Sequence, residues 1–175
     1  MSAMGAGWNV IEEEVEKMEN DVAARLDALE SRIAVEELVN TYAQAFDKRD
    51  PELLDTIWFE DSELLMGELG EFRGLNEIRE GAKGFWSEIS HMHHWMANYL
   101  IEVDGDKAVA STPLDCFVTH NEEGPVQVGG LYIDECERRN GKWGIATRRF
   151  ELHYWTPISN WVPKQGTEAL SSSAA

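Results

Sequence analysis

From Val10 to Lys48 the chain carries neither proline nor glycine, and apolar residues recur at Ile11, Val15, Met18, Val22, Leu26, Leu29 and Ile33. Steps of three and four lay such residues along one side of an α-helix, so a long helix is expected. Acidic and basic side chains, as in IEEEVEKMEND, fill its other faces. The first half either pairs with another helix or stands as a solvated helix with one apolar side. VEELVNTYAQAF is the part expected to pack on a domain. Asp50 followed by Pro51 starts a second, short helix, since aspartate caps free N–H groups and proline suits the first helical position. Short strands are expected around SELLMG and GEFRG, then a helix over LNEIREGAKGFWSEI with Gly74 as the turn before it.

After His93 the period changes to strand-like runs: HWMANYLIEV, KAVASTPLDCFVTH, PVQVGGLYIDECERR and KWGIATRRFELHYW, separated by DGD, NEEG and NG. Asn140-Gly141 between alternating runs is a strong hairpin signal, because both residues tolerate positive φ. An antiparallel meander is expected. Helices first and sheet afterwards make an α+β fold, a cone-shaped α+β barrel in which a curved antiparallel sheet wraps around helices and leaves a pocket between layers. The expected boundaries are an N-terminal helical extension over 1–30, the domain over 31–163 and a disordered, low-complexity tail over 164–175.

Charge narrows the partners. Lys plus Arg total 15 against 33 for Asp plus Glu, a formal charge of -18, which repels nucleic-acid phosphates and anionic membrane surfaces. Neither nucleic acid nor membrane is expected as a partner. No apolar run approaches the roughly 18 residues of a membrane span, and MSAMGAGWNVIEEE lacks the basic and apolar regions of a signal peptide, so a cytoplasmic location is expected. Cys116 and Cys136 are too few for a disulfide framework and read as buried thiols without chemistry. Seven Trp, four Tyr and six Met suit a bulky aromatic or polycyclic ligand, and serve equally as core.

The stretch SHMHHWMANY packs three histidines into four positions. His91 and His93 would point the same way from a strand, but His120 and His153 are isolated and no third ligand is in sequence reach, so no metal is expected. Strand parity groups His94 with Met92, Met96 and Asn98, and His93 with Trp95, Ala97 and Tyr99; both sides are mostly apolar, and parity does not choose between them. On the last strand Ala146, Arg148, Phe150, Leu152 and Tyr154 share a face. Arg148 on that apolar side either meets an anionic or hydrogen-bonding partner or reaches solvent past the core. Asp47 shares roughly one side of the long helix with Leu38 and Tyr42, or is simply helix-terminal. No Ser or Cys stands in a nucleophile elbow or oxidoreductase spacing. Gly129-Gly130 lies inside a strand and reads as a place where a bulky ligand approaches the backbone.

AFDKRDPELLDTIWFEDSE, FRGLNEIRE and GGLYIDECERRNGKWGIATRRFELHYWTP, in this order over about residues 31–157, resemble the SnoaL-like branch of the nuclear transport factor 2-like superfamily. They are most similar to the subfamily of hexachlorocyclohexane dehydrochlorinases and bile acid 7α-dehydratases, with scytalone dehydratases more distant. The resemblance implies a cofactor-independent lyase in which a His–Asp dyad inside the cone removes a proton and a leaving group departs, in a homotrimer. It places the catalytic Asp on Asp47, its partner on His94, an Arg of the last strand on Arg148 and a polar site residue on Tyr42. Tyr132, Met92, Val128, Gly130, Phe150 and Leu152 are expected to bind a bulky apolar substrate. His91 and His93 have no counterpart. The same apparatus suits loss of water, halide or formaldehyde, isomerisation of a ketone, or, without chemistry, a small-molecule binding module. Leu131, Ile133 and Trp143 are expected on an apolar outer sheet face that a neighbouring subunit covers.

Overall fold

The computed structural model describes residues 4–158; the expected tail and the end of the expected domain lie outside the described residues. Helix α1 (Met4–Lys48) is one uninterrupted element of 45 residues. Its two parts differ in burial. Val35, Val39, Tyr42, Ala45 and Phe46 are all but inaccessible and form the stripe against the sheet, and Ser31, also buried, marks where packing begins. Val15, Met18, Val22, Leu26, Leu29 and Ile33 are between 42% and 60% exposed. Over residues 15–33 the apolar stripe of α1 is therefore left largely uncovered by the other described residues.

Arg49 adopts the left-handed φ of 56° and reverses the chain into α2 (Pro51–Asp55). Asp50 caps this helix as expected, accepting a hydrogen bond from the backbone N–H of Leu53 at 2.9 Å. Strand β1 (Trp58–Leu65), a 3-10 turn at Gly67–Leu69, β2 (Glu71–Arg73) and α3 (Leu75–Glu88) follow, with Gly74 at φ 84° before α3. Strand β3 (Ile89–Met96) starts earlier than the alternation suggested. HWMANYLIEV is not one strand: Asn98 at φ 59° breaks it, and β4 (Leu100–Asp104) resumes beyond. Strands β5 (Lys107–His120), β6 (Gly124–Arg139) and β7 (Lys142–Pro157) complete the chain. Asn140 and Gly141, at φ 53° and 79°, form the predicted tight turn between the last two.

The sheet runs β2-β1-β7-β6-β5-β3, with β4 also on β5. The meander β5-β6-β7 is antiparallel, but β1 joins β7 in parallel. The α+β cone of a curved sheet around helices is the expected architecture, with two differences: the sheet is not closed, and it is mixed, because the helical connection over α3 separates β1 from the meander. Two bulges interrupt the β6–β7 ladder, at Glu135/Cys136 and Gly129/Gly130. The first leaves Ala146 as the extra residue, and the buried side of β7 passes from Trp143 and Ile145 to Arg148 and Phe150. The second leaves His153 extra, so Tyr154 points outward to Asp115 while Trp155 turns in. Ala146 and Tyr154 accordingly do not share the face of Arg148.

The outer face also departs from expectation. Leu131 and Ile133 are half-buried, and Trp143 is buried with the Arg138 guanidinium 5.5 Å from its ring centroid. Its indole serves the core, not an outer apolar patch. Trp95, 67% exposed, and Tyr154, 41% exposed, are large aromatics that the sheet does present outward. Among the described residues no helix is long and apolar enough to cross a membrane.

Candidate active site

Parity, ambiguous in the sequence, is settled by the ladder. His91, His93 and Trp95 face outward and are exposed, while Met92, His94 and Met96 face the cone. A cavity of about 380 Å³ opens there, within the size range of small-molecule sites. Tyr42, Met92, His94, Val128, Tyr132, Phe150 and Leu152 all line it.

The last turns of α1 carry Asp47 to the back of His94. The imidazole Nδ1 lies 2.6 Å from Asp47 Oδ1, and the same carboxylate accepts from the His94 backbone N–H at 3.0 and 3.1 Å. One carboxylate thus holds both the ring and the backbone of a single residue. In the neutral ring, with Asp47 as acceptor, the proton sits on Nδ1 and Nε2 is left for the cavity. Asp47 does not itself line the cavity.

Cys116 stands directly opposite His94 in the β3–β5 ladder. It is 3% exposed and lines the same cavity as the imidazole. The sequence reading dismissed this thiol; only the strand register, which joins residues distant in the chain, brings it to the dyad. Burial opposes a charge on His94, yet the Cys116 sulfur and then the Asp47 carboxylate outweigh it, and the imidazole pKa rises from 6.5 to about 9.

Tyr42 and Tyr132 meet edge to face, with ring centroids 5.5 Å apart. Burial pushes Tyr42 up to about 12 and raises Tyr132 well above 10, so both remain protonated donors. Behind them lies Arg148, its guanidinium carbon 4.0 Å from one ring centroid and 4.5 Å from the other. Asp134, its register partner on β6, grips it at 2.6 and 2.7 Å, and both side chains are 0% exposed. Arg148 therefore neither reaches solvent nor lines the cavity, whereas the two tyrosines it packs against do line it.

Gly130 does not line the cavity either. A side chain there would stand 2.3 Å from the carbonyl oxygen of Glu151 and 2.6 Å from the Phe150 ring, so the bare Cα serves the bulge between β6 and β7, not a ligand. Residues that sequence reasoning missed are Trp155, Phe85, and the acidic set Glu68, Glu88 and Glu123 at the cavity wall. Trp155 is delivered by the bulge, and its indole N–H donates to Glu123 at 2.9 Å. No cluster of three or more His, Cys, Asp or Glu among the described residues is arranged to hold a metal ion.

A helix lying in a cone of curved sheet, with a carboxylate-held imidazole facing an apolar cavity, defines a class: the nuclear transport factor 2-like small-molecule pockets. Within it, the chain belongs to the SnoaL-like domain family, whose sequence profile matches residues 27–149. It is 29% identical over 139 residues to the gamma-hexachlorocyclohexane dehydrochlorinase of Sphingobium indicum, covering 77% of this chain and 88% of that one. The crystal structure of a hexachlorocyclohexane dehydrochlorinase from Novosphingobium barchaimii superposes with a TM-score of 0.72 at 28% identity, over 80% of this chain and 99% of the other. A scytalone dehydratase-like protein from Novosphingobium aromaticivorans gives 0.68 at 20% identity, over 77% and 91% of the two chains, a likeness of fold alone.

Proposed function

We propose that this protein is a cofactor-independent lyase that eliminates a leaving group from a bulky, uncharged cyclic molecule. His94 Nε2 takes a carbon-bound proton, the C–H electron pair becomes the new double bond, and the leaving group departs from the adjacent carbon with its electrons. Asp47 orients the ring and stabilises the imidazolium that forms. The Tyr42 and Tyr132 hydroxyls donate toward the departing atom, with the Arg148 charge behind their rings making them better donors. The observation that carries this reading is the 2.6 Å contact between His94 Nδ1 and Asp47, which leaves the other nitrogen for the cavity. Substrate charge follows from the wall. Glu68, Glu88 and Glu123 line it and no Lys or Arg does among the described residues, which disfavours carboxylates and phosphates. The dehydrochlorinases it resembles make halide the first leaving group to test; water and formaldehyde depart by the same route. Assembly as a homotrimer belongs to this proposal.

The test is chloride release and alkene formation from hexachlorocyclohexane, alongside a panel of hydroxylated aromatic and polycyclic compounds followed by ultraviolet absorbance. Turnover is expected to fall by at least about 100-fold in His94→Gln and to survive prolonged chelation. A product of unchanged mass with a moved double bond would replace the lyase by an isomerase. Saturable binding across the panel without turnover would leave a binding module. Activity lost on chelation and restored by a divalent ion would overturn the metal-free mechanism.

A further inference from the structure

We propose that Cys116 is a nucleophile of the cavity, the point at which a neutral organic halide is captured as a thioether. The inference rests on the geometry around His94 and not on elimination being the turnover reaction. His94 stands between two neighbours: Asp47, 2.6 Å from Nδ1, and Cys116, its register partner across the β3–β5 ladder, which lines the same cavity. Carboxylate, imidazole and thiol in series are the arrangement that activates a sulfur nucleophile, the imidazole taking the proton and the carboxylate steadying the resulting charge. Sequence spacing gave no hint of it, since the three residues come from α1, β3 and β5 and meet only through the sheet register.

The step balances without a cofactor. With the imidazole in its neutral form, His94 Nε2 accepts the thiol proton, a sulfur electron pair attacks the carbon that bears the halogen, the C–S bond forms, and the halide leaves with the electrons of the C–X bond. Whether the imidazole takes a proton from carbon or from sulfur then depends on the bound molecule. A halide with a hydrogen on the carbon next to the C–X carbon is open to elimination. One without such a hydrogen is open only to displacement. The walls suit an aromatic reagent, because Phe46, Phe85, Tyr132 and Phe150 border the same space as Cys116.

The chain carries its own control. Cys136, the other free cysteine, is equally buried but lies among Asp134 and Arg148, lines no described cavity, and is pushed up to about 12 by burial, then by the Asp134 charge. A thiol in that position is inert.

The experiment treats the full-length native protein with 2-bromoacetophenone, a neutral aromatic halide with no hydrogen available for elimination. Adducts are counted by intact-protein mass spectrometry and located by peptide mapping. One phenacyl group on Cys116 is expected, with Cys136 unmodified until denaturant is added. Cys116→Ser should take up none. His94→Gln should slow labelling by about 100-fold while melting as a folded protein; if it does not fold, Asp47→Asn, which removes the carboxylate charge from behind the ring, is expected to slow labelling too. Equal labelling of both cysteines, no labelling of the native protein, or a rate on Cys116 indifferent to both dyad substitutions would overturn the proposal. The readout is the mass of the protein, so a failed elimination assay and a failed labelling are separate results.

Discussion

His94 is a residue on which opposed influences meet. Its folded pKa of about 9 means that the imidazole of the ligand-free protein holds its extra proton at neutral pH, and a base must lose that proton before it can work. Because kcat/KM reports the free enzyme, it is expected to climb with pH and level off above about 9. Cys116→Ser removes the group that raises the imidazole most, and should shift that rise to lower pH. Stability runs the other way. A pKa raised on folding adds stability that is fully present below the unfolded value of 6.5 and disappears as pH rises through about 9. Denaturant midpoints across that window, for the native chain and His94→Gln, should converge at the alkaline end; a difference that is constant with pH would contradict the assignment. Asp47 and His94 were readable in the sequence only because their flanking phrases resemble a family, since parity around SHMHHW left two histidines open. The burial of Cys116 was readable, but its place beside the dyad was not, because that depends on which residue faces it across the ladder.

Strand β7 shows what alternation conveys and where it stops. A period of two correctly put Arg148, Phe150 and Leu152 on one side, and it failed at both bulges, where one extra residue changes which side faces the cone. A bulge carries no reliable mark in the alternating pattern, so Trp155 was missed and Tyr154 was placed inside. The partner of Arg148 was likewise hidden, since Asp134 becomes its neighbour only once β6 and β7 are in register. The glycine pair tests this account of the bulge. At Gly130 an added Cβ meets the backbone oxygen of Glu151 at 2.3 Å, whereas at Gly129 it meets the end of the Tyr154 side chain at 2.1 Å. Backbone moves only with its whole strand, but the exposed tyrosine swings aside. Gly130→Ala is therefore expected to destabilise by about 1–3 kcal/mol, and Gly129→Ala by clearly less, both read from urea midpoints. The reverse order would mean that the constraint at the bulge lies elsewhere.

At the scale of the whole molecule, the long helix was legible from its lack of breakers and its stripe, and so was the α+β layout. The parallel β1–β7 pairing was not, because nothing local distinguishes a strand that joins the sheet from afar. The stripe itself calls for an explanation. From Ile11 to Ile33 it advances in steps averaging about 3.7 residues, close to the 3.6 of a straight helix, so it stays on one side of α1 for about six turns. A left-handed coiled coil would need 3.5. The spacing thus favours a nearly straight neighbour over a supercoiled one. Six large apolar side chains of this stripe stand between 42% and 60% exposed, more than an isolated soluble chain ordinarily leaves uncovered in one band. Assembly through this helix, together with the outer sheet face bearing Trp95, is the form of the proposed homotrimer that would cover both. The formal charge of -18 opposes it at low ionic strength, so association should tighten as salt is added. Light scattering at micromolar concentration is expected to report about three chains per particle. Deleting residues 1–22 should weaken association and leave the cavity intact, since the helical wall of the cavity begins at Tyr42. A monodisperse monomer at moderate salt, with or without those residues, would overturn the trimer and leave the stripe to be covered by some other segment.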